Sequence, residues 1–446
     1  MPASVFRREL RELFRLALPL AAAQAGTQLM GLVDVAVLGR LGASELAGAG
    51  MANAVFFAVS VFGMGMMLGV DPLIAQAVGA GDHARARHVL WQGIWLSILV
   101  SGALTVVLLA ASLAVPLIGA SPDIVGHARA FLLVRTASLL PFLMFFVIRA
   151  YLQAHHVTRP MLVAMVVANI FNFALDLVFV FGVGDWIPAM GVAGAALATV
   201  ICTFLELAIV AAAVRKMDAA KNVDHRPERA AILQAARIGA PIALHMGAEV
   251  GIFALVALLA GRLGTLHLAA HQLVIGIASF TFTVAVGVAS AGSVRVGNAI
   301  GARDSAATRV AGNAAFIGGL IVMGVSATVF ALAPGALARL FTNQPSVIAA
   351  AIPLMMVAAV FQLSDGIQAV GAGVLRGAGD TKYTFYANLV GHWLIGFPLA
   401  LWLGFSRGLG IVGLWWGLCV GLTVVAVLLF VRFEKLSRGA IAPIAH

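Results

Sequence analysis

Long apolar runs, broken only by short charged clusters or Gly/Pro turns, set the pattern of this chain. Twelve such runs fall near residues 14–38, 46–78, 89–118, 126–150, 159–183, 190–214, 233–260, 266–298, 309–334, 346–374, 381–404 and 409–432. A helix needs about 20 mostly apolar residues to cross a bilayer. Open strands cannot span lipid, and the runs are too long and too uniformly apolar for a barrel, so the pattern predicts twelve transmembrane helices. Several runs are longer than the bilayer requires, which predicts tilt or helix continuing beyond it.

Composition agrees with the pattern. Of 446 residues, 62% are hydrophobic and 10% charged, where a soluble domain carries about 25% charged residues. The chain is therefore read as an all-α polytopic membrane protein with little left over for a soluble domain. In a soluble protein the net charge of +10 would suggest nucleic acid. Here it follows from loop charge that sets topology. With the N-terminus in the cytoplasm, 22 of the 28 Lys and Arg fall inside, and only Arg40, Arg129, Arg135, Arg262, Arg339 and Arg407 fall outside. This predicts a multi-pass protein of a bacterial inner membrane with both termini cytoplasmic and no nucleic-acid partner. The basic start runs into an apolar stretch with an internal acid and no convincing cleavage site, so it does not read as a cleaved signal. Cys202 and Cys419 both sit inside apolar runs, which argues against a disulfide framework or a zinc site.

The two halves repeat at a constant offset of 222 residues: Arg15 and Pro19 match Arg237 and Pro241, and Gly39-Arg40-Leu41-Gly42 matches Gly261-Arg262-Leu263-Gly264. At the same offset Gly79-Ala80-Gly81-Asp82 matches Gly301-Ala302-Arg303-Asp304. Six helices per repeat put both in the same orientation, related by a pseudo-two-fold axis along the membrane normal. The expected organisation is a six-helix lobe at 1–215, a polar cytoplasmic linker at 216–232 and a second six-helix lobe at 233–446. Such a plan suits an alternating-access carrier.

Six acids fall within the apolar runs: Asp34, Asp71, Asp176, Glu206, Glu249 and Asp365. A charge at mid-membrane costs about 2.5–3.5 kcal/mol even on the lenient insertion scale, so such residues usually face a cavity and handle ions or protons. Asp71 precedes Pro72 near a helix end and reads as structural; Glu206 stands mid-helix with no evident partner. Asn169, Asn172 and Asp176 share one helical face at i, i+3 and i+7. With Asp34 and Thr199 they could supply oxygen ligands for a hard cation such as Na⁺, or a shared proton. In the other half, Glu249 and Asp365 have Gln362, Ser364 and Gln368 for company. Two carboxylates facing one cavity repel, so such a pair holds a proton or a cation, and an organic cation would compete for it. Gln28, Asn169, Gln272, Gln362 and Gln368 are candidate cavity-lining groups. His245, His271 and His392 are open to proton handling or to plain hydrogen-bonded packing. Pro19 is expected to bend the first helix. No enzyme or nucleotide-binding motif occurs, so the chain is read as a non-enzyme without cofactor, drawing on an ion gradient.

The stretch GLVDVAVLGRLGASELAGAG (31–50) resembles the opening signature of the multidrug and toxic compound extrusion (MATE) family, and AQAVGAGDHARAR (75–87), AAHQ (269–272) and LRGAGDTK (375–382) add to the resemblance over essentially the whole chain. The resemblance implies twelve helices in two lobes and efflux of cationic or amphipathic compounds in exchange for Na⁺ or H⁺. It also implies cation or proton binding at Asp34, Asn172, Asp176 and Thr199 in the N-lobe. In the C-lobe, Glu249 and Asp365 match the acids of the NorM-type subgroup rather than the DinF-like one, while Asp176 is the DinF-like choice at its position. Both acidic sites are thus expected in one chain, with small organic cations and membrane lipid as partners and a monomer as the working unit. An aromatic position one turn before Asp365 is Phe361, without a phenolic oxygen. The alternatives are a lipid-linked precursor flippase, which would favour a cation-lined cavity, and a metabolite carrier of the major facilitator type, whose basic loop is not matched by GAGDHARARH (79–88).

Overall fold

The computed structural model describes residues 3–217 and 223–444, so residues 218–222 of the expected linker lie outside the described residues. Eleven of the described helices are long and apolar enough to cross a membrane, and a bent pair makes a twelfth when counted as one span. In chain order they are α1 (Ala3–Leu38), α2 (Ala43–Gly79), α3 (His83–Leu117), α4 (Pro122–Thr136 with Leu139–Ala154), α5 (Arg159–Phe181) and α6 (Val192–Arg215). Then follow α7 (Arg229–Leu263), α8 (Thr265–Gly301), α9 (Ser305–Leu332), α10 (Pro345–Gly377), α11 (Thr381–Ser406) and α12 (Gly410–Leu436). Among the described residues no strand forms beyond an isolated bridge, Val183 to Ile187.

Each of the twelve apolar runs became a span, and the departures are local. The first helix starts at Ala3 because its polar beginning is amphipathic: Leu13, Leu16 and Ala17 are buried while Arg8, Arg11 and Arg15 are exposed. The α4 run is bent by 45° between its two helices, where Ser138 turns its backbone N–H and its hydroxyl onto the Arg135 carbonyl at 2.9 and 2.7 Å. A short helix at Pro334–Arg339, opened by its proline, precedes α10 and was not expected. Within α11 the backbone widens to π-helix at Leu389–Gly396 and Trp402–Ser406.

The repeat is visible in matched geometry. Asp82 caps α3 by accepting from the Arg85 N–H at 2.9 Å, and Asp304 caps α9 by accepting from Ala307 at 2.8 Å. The residue before each cap has a left-handed φ, 77° at Gly81 and 57° at Arg303.

Two compact units form, neither contiguous in sequence. One comprises Met1–Ala21, Ala75–Gly81 and Leu244–His446; the other comprises Ala22–Ile74 and Asp82–Ala243. Two of their boundaries fall inside α1 and α7, each two residues after a helix-interior proline, Pro19 or Pro241, and two more enclose Ala75–Gly81, the end of α2 and the turn after it. In the first unit, the start of α1 packs on α8 and α9. Gly287 faces Ala17 and Ala21, Gly318 faces Leu13, and Arg295 grips Glu9 with two nitrogens. The end of α2 crosses the end of α8 in the same unit. A Cβ on Gly79 would lie 2.0 Å from the Asn298 carbonyl oxygen, and one on Gly301 equally close to that of Gln76. Gln76 also donates to the Gly377 carbonyl at 3.0 Å and accepts the Ile444 N–H at 2.8 Å. In the second unit, the start of α7 packs on α2, with Gly65 against Ala243 and Gly69 against Gly239.

Candidate functional site

The N-terminal acids collect in the second unit. Asn172 and Asp176 are fully buried on α5, on the one face their spacing predicts. Thr199 on α6 donates its hydroxyl toward the Asp34 carboxylate of α1 at 3.3 Å, sharing it with its own helix carbonyl at Ala195, 3.0 Å away. Asp176 and Asn172 complete the neighbourhood of Asp34. Four oxygens here, Asp34 Oδ1, Asn172 Oδ1 and both carboxylate oxygens of Asp176, are buried without a hydrogen-bond donor. Leaving a buried polar atom unsatisfied costs about 1–3 kcal/mol, more for a charged one. A proton or a hard cation placed among these oxygens would remove that cost, and the donor set fits either. Asn169 turns its amide N–H back onto the Met165 carbonyl at 2.9 Å, and Met30, Ala168 and Cys202 form an apolar cluster in the same unit.

The C-terminal acids collect in the first unit. Glu249 of α7 stands one turn after His245, with Nε2 and Oε2 3.4 Å apart. Gln368 of α10 points its amide N–H at the other Glu249 oxygen from 3.5 Å, and the buried Asp365 lies in the field of Glu249. The neighbouring polar side chains are held in place by partners. Gln362 donates to the Thr281 hydroxyl at 2.8 Å, and Ser364 pairs with Thr423 at 2.8 Å. Trp393, in the π-helical part of α11, donates to the Ala248 carbonyl at 3.3 Å, next to Glu249. Such widened turns recur at functional sites because they re-aim side chains. Both ring nitrogens of the buried His392 lack a hydrogen-bond partner.

Other residues are placed as follows. His271 accepts from the Trp415 indole at 3.2 Å, a packing role in the core beneath the site. Phe361 stands edge-on to Phe253 and Trp415, so this wall is apolar. Gln28 and Gln272 are exposed rather than buried with the acids. Asp71 lies in the first turn of the helix that resumes α2 at Val70, where the helix dipole favours an acid. Cys202 and Cys419 are both buried free thiols. Among the described residues no three His, Cys, Asp or Glu side chains are grouped to hold a metal.

The partners that hold the groups around the C-terminal acids, Thr281 for Gln362, Thr423 for Ser364 and Trp393 for the Ala248 carbonyl, could not be found from spacing alone, since they come from three other helices. Glu206 does face a cation, Arg135 of α4. The sequence signal for this pairing is an arginine inside the apolar run 126–150.

The sequence model of the MatE family matches residues 19–178 and again 241–402. The two matches start at Pro19 and Pro241, the offset of the internal repeat. A "Probable multidrug resistance protein NorM" from Bradyrhizobium diazoefficiens is 35% identical over 98% of this chain and 96% of its own length. The "Multidrug resistance protein NorM" of Aliivibrio fischeri is 30% identical over 97% of the chain and 96% of its own length. Among solved structures, the eukaryotic MATE transporter AtDTX14 superposes with a TM-score of 0.87 at 22% identity, covering 98% of both chains. With its fold, its doubled family match and its full-length similarity to NorM proteins, the chain belongs to the MatE family, in the NorM-like subgroup.

Proposed function

We propose that this protein is a multidrug efflux antiporter of a bacterial inner membrane, exporting cationic or amphipathic organic compounds in exchange for Na⁺ or H⁺ by alternating access. The observation that carries the reading is the pair of buried carboxylate clusters, Asp34/Asp176 in one unit and Glu249/Asp365 in the other. Each gathers negative charge that a proton, a metal cation or an organic cation relieves, and competition for that charge is the simplest physics of exchange. The names of the NorM relatives support the substrate class. The Lys and Arg bias supports cytoplasmic termini, and two units within one chain, each with its own acid cluster, support a monomer as the transporting unit.

The test is efflux of a fluorescent organic cation from proteoliposomes, driven in turn by a Na⁺ and a pH gradient. Wild type should export under at least one gradient. Asp365→Asn or Asp34→Asn should abolish export while the protein still inserts. Full export by both variants would refute the reading, and loss in only one would identify the coupling unit.

A further inference from the structure

The bend in α4 comes directly after an arginine inside the apolar run, Arg135. Arg135 lies in the last turn of the first α4 helix, whose end is fixed by the Ser138 bonds to the Arg135 carbonyl. Unpaired carbonyls at a helix C-terminus favour a positive charge. The guanidinium carbon stands 4.9 Å over the ring of the buried Phe56 of α2. Nε and Nη1 are buried with no hydrogen-bond partner, although the side chain as a whole is only half-buried. The titratable groups facing it are Asp34 of α1 and Glu206 and Cys202 of α6. All of these residues belong to one unit.

An arginine keeps its charge at any working pH. With two nitrogens unbound and no close carboxylate fork, this one is not locked into a salt bridge. It acts on Asp34 through the field alone. We propose that Arg135 is a tethered counter-cation of the N-terminal cluster, weakening the hold of Asp34 and Asp176 on a mobile cation so that the cation can leave during each cycle. The inference rests on the antiport reading and names the residue that sets how tightly that site binds. Arg135 is a positioning residue for charge, since the mobile cation is held by Asp34, Asp176, Asn172 and Thr199. The repeat gives this assembly no twin: the position 222 residues after Asp34 is Val256, and that after Arg135 is Val357.

The experiment uses the full chain in proteoliposomes and, in parallel, isotopic Na⁺ binding to detergent-purified protein at alkaline pH, with displacement by acid. Arg135→Gln is expected to reach half-maximal exchange, and half-maximal binding, at a mobile-cation concentration about tenfold lower, the effect of removing one nearby charge. Its turnover should fall because release slows. Arg135→Lys, which keeps the charge, should retain the wild-type half-saturation. Should Arg135→Gln fail to insert, Glu206→Gln compared with Glu206→Gln/Arg135→Gln makes the same comparison without stranding Glu206. Equal half-saturation with and without the arginine overturns the proposal, as does an Arg135→Lys protein that behaves like Arg135→Gln. If wild type exchanges under neither gradient, the antiport reading fails, and the binding arm still decides for or against Arg135. Wild type that neither exchanges nor binds Na⁺ overturns both.

Discussion

Thr199 has one hydroxyl proton and two acceptors, the Asp34 carboxylate at 3.3 Å and the Ala195 carbonyl at 3.0 Å. Its oxygen is therefore free to turn its lone pairs toward a bound cation when the proton stays on the helix. Thr199→Val, nearly isosteric, should raise the half-saturating concentration of the coupling ion about tenfold, the worth of one hydrogen bond to a charged group. A dye-exchange titration on protein of normal expression checks this. A second residue concerns acid stability. His155 lies at the end of α4, its Nδ1–H donating to the Tyr151 carbonyl at 2.9 Å. Burial is the main influence lowering its pKa below the ordinary histidine value, helped by His83 and Arg87 and opposed by the Tyr151 bond. Because the folded state prefers the neutral ring, this contribution is complete above the unfolded pKa near 6.5 and is lost as pH falls below it. His155→Gln should therefore narrow the gap between melting temperatures at pH 7.5 and pH 5. At this scale the sequence was legible where one helix carries the chemistry, as with Asn172 and Asp176. It was opaque where a partner lies on another helix, as with Glu206 and Arg135 or Gln362 and Thr281.

Among the elements, the capped turns after α2 and α8 offer a matched comparison. Gly81 and Arg303 share a left-handed φ, 77° and 57°, which costs a residue with a Cβ about 1–2 kcal/mol. Nothing lies within 4 Å of a Cβ added to Gly81, so only backbone strain is at issue there. Gly81→Ala should lower the melting temperature, and Arg303→Gly should hold or raise it, by thermal unfolding in detergent. Two residues before each of these, at Gly79 and Gly301, the chain reaches the close crossing of α2 and α8. There a Cβ would lie 2.0 Å from a backbone oxygen, so Gly301→Leu should fail to yield folded protein where Gly276→Leu, with open space around it, does not. The spans themselves were readable because lipid enforces one long apolar run per helix. The 45° bend of α4 does have a signal in the sequence, apart from the apolar run itself: Pro141, in the first turn after the break, has no N–H for the Ala137 carbonyl four residues back, and Ser138 bonds the Arg135 carbonyl there. The π-helical turns of α11 were not legible: in the first of them Gly391 and Gly396 pack against Gly421 of α12, a contact that no single-helix pattern encodes.

For the whole molecule, the division of α1 and α7 matters more than the linker. Each compact unit takes the first part of a helix from the opposite half of the sequence: residues up to Ala21 in one case, and Arg229 to Ala243 in the other. Neither half of the chain holds a whole unit. A fragment of 233–446 lacks the segment that covers Gly287 and Gly318 and leaves Arg295 without Glu9. Expressed singly, the halves 1–215 and 233–446 should be unstable; co-expressed, they should copurify through a tag on either one, and failure to do so would count against these contacts. The pairing of Glu9 with Arg295 has a corollary for synthesis. The first helix leaves the ribosome long before its packing surface on α8 and α9 exists, so its arginine-bearing start must wait at the membrane surface until nearly three-quarters of the protein has been made. A transcript cut short after α6 would yield a product with six inserted spans and an opening segment that never finds its seat, a form that cellular quality control can tell from the finished transporter by its earliest residues.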